Sequence, residues 1–176
     1  ENGRLDALNS LLGSGADLDE TDGQGRTALI WAAAGGHVDC MKALLEKGAD
    51  PDKGDKKGET ALMYAAASGN AEALSLLLEK GADPKVAAKD GRTVLMAAAA
   101  KGNAAVINAL LEAGAKATDT AENGRTALME AARANNVETI QALLAKGARI
   151  NAKDQTGRAA LMHAAYEADV EAVRAL

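Results

Sequence analysis

The chain has 176 residues, a formal net charge of −5, 48% hydrophobic residues, 2% aromatic residues and no Phe. Its apolar weight rests on Ala, Leu, Val, Ile and Met, which suits closely approaching helices better than a sheet core filled by β-branched and aromatic side chains. A single Cys excludes an internal disulfide and a cysteine zinc site. The mixed-sign, acidic balance argues against nucleic-acid binding, and the apolar runs are too short to cross a bilayer.

Taken in chain order, the elements repeat. Gly3 to Gly15 reads as the second helix of a partial unit. Asp22-Gly23-Gln24-Gly25 is a tight turn, and Thr27 stands where a hydroxyl can cap a helix start. A first helix follows with Leu29, Ala32 and Ala33 on one face, narrow enough for a neighbouring helix to come close. Gly36 breaks it, and His37 opens a second helix whose stripe is Val38, Met41, Leu44 and Leu45, with Gly48 as a left-handed stop. The same plan returns every 33 residues: Gly25, Gly58, Gly91, Gly124 and Gly157 share one phase, and Leu29, Leu62, Leu95, Leu128 and Leu161 another. Whole units begin at 22, 55, 88 and 121, and a final unit from 154 stops inside its second helix. The expected organisation is one domain over 1–176, divided 1–21, 22–54, 55–87, 88–120, 121–153 and 154–176. A fixed period of this kind marks a stack in which each unit contacts its neighbours.

The segment GRTALIWAAAGGHVDCMKALLEKGADPDKGD and its copies resemble the ankyrin repeat, with its G-x-T-P-L-H-x-A-A-x-x-G-H pattern, Leu-Leu helix end and G-A-D. The resemblance covers the whole chain. It implies an all-α solenoid of helix-turn-helix units joined by β-hairpin-like turns, with the turn tips and first helices on a concave binding side. Two motif positions depart from the pattern: Ala28, Ala61, Val94, Ala127 and Ala160 replace its proline, and Ile30, Met63, Met96, Met129 and Met162 replace its histidine. The T-A-L-M-x-A-A variant looks like bacterial members of the family and removes any histidine ladder between units.

Nothing in the sequence assembles a catalytic centre or a metal site. Cys40 sits beside the apolar stripe, His37 and His163 belong to distant units at roughly 10 Å per helix layer, and Gly23-Gln24-Gly25 lacks the strand and Lys-Ser/Thr of a phosphate loop. The expectation is therefore a non-enzymatic protein with no cofactor. Residues that vary at a fixed phase are released from packing, and one such phase holds Trp31, Tyr64, Ala97, Glu130 and His163; Arg133 and Tyr166 lie one turn on. All three aromatic residues fall in this set, and Trp and Tyr are enriched in binding hot spots. The turn tips add Arg26, Lys56, Lys57, Lys89, Arg92, Arg125 and Arg158 against Glu59, Asp90 and Glu122, a basic edge on an acidic molecule. These residues are expected to bind another protein through an acidic patch, the chain itself being a monomer that contacts neither nucleic acid nor membrane. The alternative is a bare or engineered scaffold, or the repeat portion of a larger protein whose activity lies elsewhere. The start at Glu1 suggests a truncated N-terminus, and without a visible leader a cytoplasmic location is favoured.

Overall fold

The computed structural model describes residues 15–168 and 170–176, together with Ser10 and Gly13. The expected helix at Gly3 to Gly15 lies mostly outside the described residues. Ten helices are described in five pairs: α1 Ala28–Gly35 and α2 Val38–Glu46, α3 Ala61–Ser68 and α4 Ala71–Glu79, α5 Val94–Lys101 and α6 Ala104–Glu112, α7 Ala127–Arg133 and α8 Val137–Ala145, α9 Ala160–Tyr166 and α10 Val170–Ala175.

The first helices start where threonine can cap them. Thr27, Thr93 and Thr126 accept through Oγ1 from the amides of Ile30, Met96 and Met129 at 3.3, 3.4 and 3.3 Å. Thr60 is buried at the same place without that bond. The helices stop on left-handed Gly36, Gly69 and Gly102. Asn135 and Ala168 take over the same conformation in the last two units, with φ of 50° and 60°. Asn70, Asn103 and Asn136 then cap the second helices through Oδ1, whereas His37 makes no such bond.

The sequence pattern suggests one apolar face on each first helix; the structure buries three sides. Among the described residues, the first helices α3, α5 and α7 each lie between the first helices of the units before and after, and every first helix also covers its own second helix. In α3 this buries Ala61, Leu62, Met63, Ala65 and Ala66, so only Tyr64, Ala67 and Ser68 look outward. Alanines set the close approach, while Leu74, Leu77, Ile107 and Leu110 fill the space between the two rows. The rule lapses in the last unit. Leu161 and Met162 are 48% and 53% exposed although Leu128 and Met129 are each 1% exposed, because no further unit among the described residues stacks on them.

Two ladders hold the units in register. A side-chain amide replaces the absent histidine link: Asn103 Nδ2 donates to the Gly69 carbonyl at 2.9 Å, and Asn136 Nδ2 does the same to Gly102. At the opposite end of the helices, the amides of Lys56, Lys89, Glu122 and Gln155 donate to the carbonyls of Gln24, Lys57, Asp90 and Asn123 at 2.8 to 3.0 Å. Each turn is also closed internally, as by Asp55 N to Glu59 O at 3.0 Å and Gly58 N to Asp55 O at 2.8 Å. Gly91 shows why glycine is needed here. Its φ is +76°, and a Cβ would lie 2.9 Å from the Glu122 amide of the next turn.

Candidate functional site

The surface left free by this packing is a strip running along the first helices and onto the turn tips. Trp31 is 52% exposed, Tyr64 is half-buried, and Tyr166 is 78% exposed. The rings are not loose. Trp31 Nε1 donates to Asp22 Oδ2 at 3.1 Å, and the Tyr64 hydroxyl donates to Asp55 Oδ2 at 3.1 Å. His163 Nε2 pairs with Asp154 Oδ2 at 2.8 Å. In each case the aspartate lies nine residues earlier, at the start of the hairpin.

The same aspartates also fold the turns. Asp55 Oδ1 accepts from the amides of Lys57 and Glu59 at 2.8 and 2.9 Å, and Asp22 and Asp154 do likewise for Gln24 and Arg26, and for Thr156 and Arg158. One carboxylate oxygen therefore shapes the turn and the other aims a ring. Asp22 is held below the usual carboxylate range, first by the Arg26 amide and then by its guanidinium; Asp154 is lowered chiefly by the Thr156 hydroxyl and the Arg158 amide. Burial pushes the Tyr64 hydroxyl above its ordinary value, and the Asp55 carboxylate pushes it further.

Where the aspartate is missing, so is the donor. Ala88 faces a unit with Ala97, and Ala121 one with Glu130. Glu130 is held instead by Arg125, whose Nε is 2.8 Å from Oε1, and by Arg133 at 3.6 Å. The three aspartates were absent from the set expected to matter. Their signal was in the sequence as a pairing at two phases nine apart, hidden because each phase alone looks like framework or variation.

Several expectations change accordingly. His163 is 7% exposed and tied to Asp154, which leaves it little surface to offer. Glu130 sits inside an ion-pair group that reaches Glu167 through Arg133 at 3.7 Å, which reduces its reach toward solvent. The basic edge is weaker than its sequence suggests. Arg26 pairs with Asp22 at 2.8 Å and stacks on Trp31 at 3.9 Å from the ring centroid. Arg92 pairs with Glu59, Arg125 with Glu130, and Lys56 Nζ donates to the Gly23 carbonyl at 2.8 Å. Arg158 stands 5.9 Å over Tyr166. Lys57 and Lys89 are exposed and form no ion pair among the described residues. An open pocket lined by Met63, Tyr64, Ala67, Thr93 and Ala97, with Glu59 and Arg92 on its wall, lies where the second and third complete units meet. Among the described residues no group of three or more His, Cys, Asp or Glu could hold a metal ion.

A family model described as ankyrin repeats (3 copies) matches residues 1–88 and 82–154. No curated protein is a significant match to the chain. Ankyrin repeats are generally protein-interaction modules, and the fold is typically a non-enzymatic interaction scaffold. No described helix is long and apolar enough to cross a membrane. With the repeat pattern continuous through the matched residues and the helix pairs stacked in order, the chain belongs to the ankyrin-repeat family.

Proposed function

We propose that the strip of first helices and turn tips binds a partner protein, with Trp31 and Tyr64 as its anchors. The observation that carries this reading is the fixing of exposed rings. Trp31 is held at one edge by Asp22 and covered on a face by Arg26, yet half of its surface stays in water. An aromatic side chain already immobilised loses little conformational freedom on binding, which is the property of an anchor. The first helices lie closer to one another than the second helices do, which supports placing this strip on the inner, concave side of the stack. Lys57, Lys89, Arg133, Arg158 and Tyr166 would flank the anchors, and the free lysines would steer an acidic patch toward them.

The test is affinity capture from the source organism with mass spectrometry, comparing the wild-type chain with a Trp31→Ala/Tyr64→Ala variant. The expected result is loss of the captured partner with the helical circular dichroism signal retained. An unchanged captured set would remove the anchors from the site. Loss of helicity together with binding would make the rings structural and the assignment wrong.

A further inference from the structure

One position on the strip is built to hold a ring and has none. The residues at the phase of Arg26 are Glu59, Arg92, Arg125 and Arg158, and those at the phase of Trp31 are Tyr64, Ala97, Glu130 and His163. Arg26 covers the Trp31 ring, and Arg125 holds the carboxylate of Glu130. Arg92 has only the methyl group of Ala97 at the corresponding place in its own unit, and its guanidinium reaches back to Glu59 instead. The open pocket lies at this gap, bounded by Tyr64, Met63, Ala97 and Arg92. Met63 and Thr93 are buried there, while the Arg92 side chain is about half exposed. The Tyr64 ring is kept at the pocket by its bond to Asp55.

We propose that this pocket receives a phenylalanine side chain from an acidic segment of the partner, which lies between the Tyr64 ring and the Arg92 guanidinium. The inference rests on the partner-binding reading above and names the chemistry of the residue that enters. An aromatic ring fits better than an aliphatic chain because it offers a face to both neighbours, the stacking arrangement that Arg26 and Trp31 already make within one unit. A ring without a hydrogen-bond donor fits because Ala88 stands where Asp55 accepts from Tyr64, and the one carboxylate on the pocket wall, Glu59, is already paired with Arg92. Acidic neighbours follow from Lys57 and Lys89. Their turns are joined by Lys89 N to Lys57 O at 2.8 Å, on the same two hairpins as Glu59 and Arg92.

The probe is an acetylated, amidated pentapeptide with a central Phe between two acidic residues on each side, titrated to millimolar concentration. Versions with Leu or Ala at the centre are the comparison, and amide and methyl NMR signals are the readout. The Phe peptide should shift Met63, Ala67, Thr93 and Ala97, the Leu peptide should bind more weakly, and the Ala peptide should bind roughly tenfold more weakly or worse. Ala97→Phe, which supplies a ring from within the chain, should abolish these shifts. If that variant does not fold, Arg92→Gln, which removes the guanidinium face, should weaken the Phe peptide toward the Leu level. Shifts elsewhere, equal binding of the Phe and Ala peptides, or no shift at millimolar Phe peptide would overturn the pocket assignment. Equal binding of Phe and Leu would overturn the aromatic one. Capture of the same partner by wild type and by folded Ala97→Phe would sink this inference while the broader binding role stood. Peptide binding in the pocket without any captured protein would leave the pocket chemistry standing and overturn the partner-binding reading.

Discussion

Asp55 offers the most direct test of how a turn and a ring are coupled. Asp55→Ala removes two bonds to the amides of Lys57 and Glu59 and one from the Tyr64 hydroxyl. The third and fourth complete units survive with alanine at this place because Asp90 and Asn123, two residues later, accept from the amides of Arg92 and Arg125 at 3.0 and 3.1 Å. In the second unit that position is Lys57, which has no acceptor to offer. The two turn amides can return to water, while the half-buried Tyr64 hydroxyl loses more, so the sum is on the order of 2 kcal/mol. That corresponds to a fall in melting temperature of about 4–8 °C for a chain of this size. Tyr64→Phe, which keeps the ring and loses only the hydroxyl bond, should cost about 1 kcal/mol. Because both changes delete the same contact, the double variant should be less destabilised than the sum by about 1 kcal/mol. Urea unfolding followed by circular dichroism measures all four corners of the cycle. Losses that add to within about 0.3 kcal/mol would mean that the carboxylate and hydroxyl do not act on each other, and the account of the ring as held by the turn would fall.

Two other outcomes follow from single residues. Ala168 carries a left-handed φ of 60° where the first three complete units have glycine, so Ala168→Gly should stabilise the last unit by about 0.5–1 kcal/mol, seen as slower amide exchange at Ala164 and a higher melting temperature; unchanged exchange at Ala164 with an unchanged melting temperature would deny the strain. Asp22 and Asp154 have depressed carboxyl pKa values, so the unfolded chain takes up their protons first on acidification. Their contribution is complete above the usual carboxylate range and should be lost as pH falls below about 4, and Asp154→Asn should flatten that part of an acid-unfolding profile rather than leave it unchanged.

The period made most of the scaffold legible, since each hairpin, cap and helix pair depends on residues close in sequence. Gly91 and its equivalents mark both a left-handed backbone and a close approach by the next turn, and Thr27, Thr93 and Thr126 cap as their position implies. What a single unit could not display was burial created by stacking. Leu62, Ala65 and Ala66 look like one face, yet Met63 is also covered because units approach from both sides. The candidate site was legible as a phase but not as a set of contacts. Trp31, Tyr64 and His163 share that phase, but His163 is buried and the other two rings retain exposed surface. The imidazole is the smallest of the three rings, and its Nε2 ends on Asp154 at 2.8 Å. Charge was the least legible property. Arg92 counts as a free cation along the chain and becomes one half of a pair only when Glu59, thirty-three residues earlier, is laid beside it.

The bonds from Lys56 to Gln24, Lys89 to Lys57, Glu122 to Asp90 and Gln155 to Asn123 use main-chain atoms alone. The spacing between turn tips is thus measured by groups common to every amino acid but proline, while the residues displayed at those tips are otherwise free to change. Ruler and message reside on different atoms. A substitution such as lysine to glutamate at position 89 would rewrite what a visiting protein meets and leave the interval to the neighbouring tip as it was.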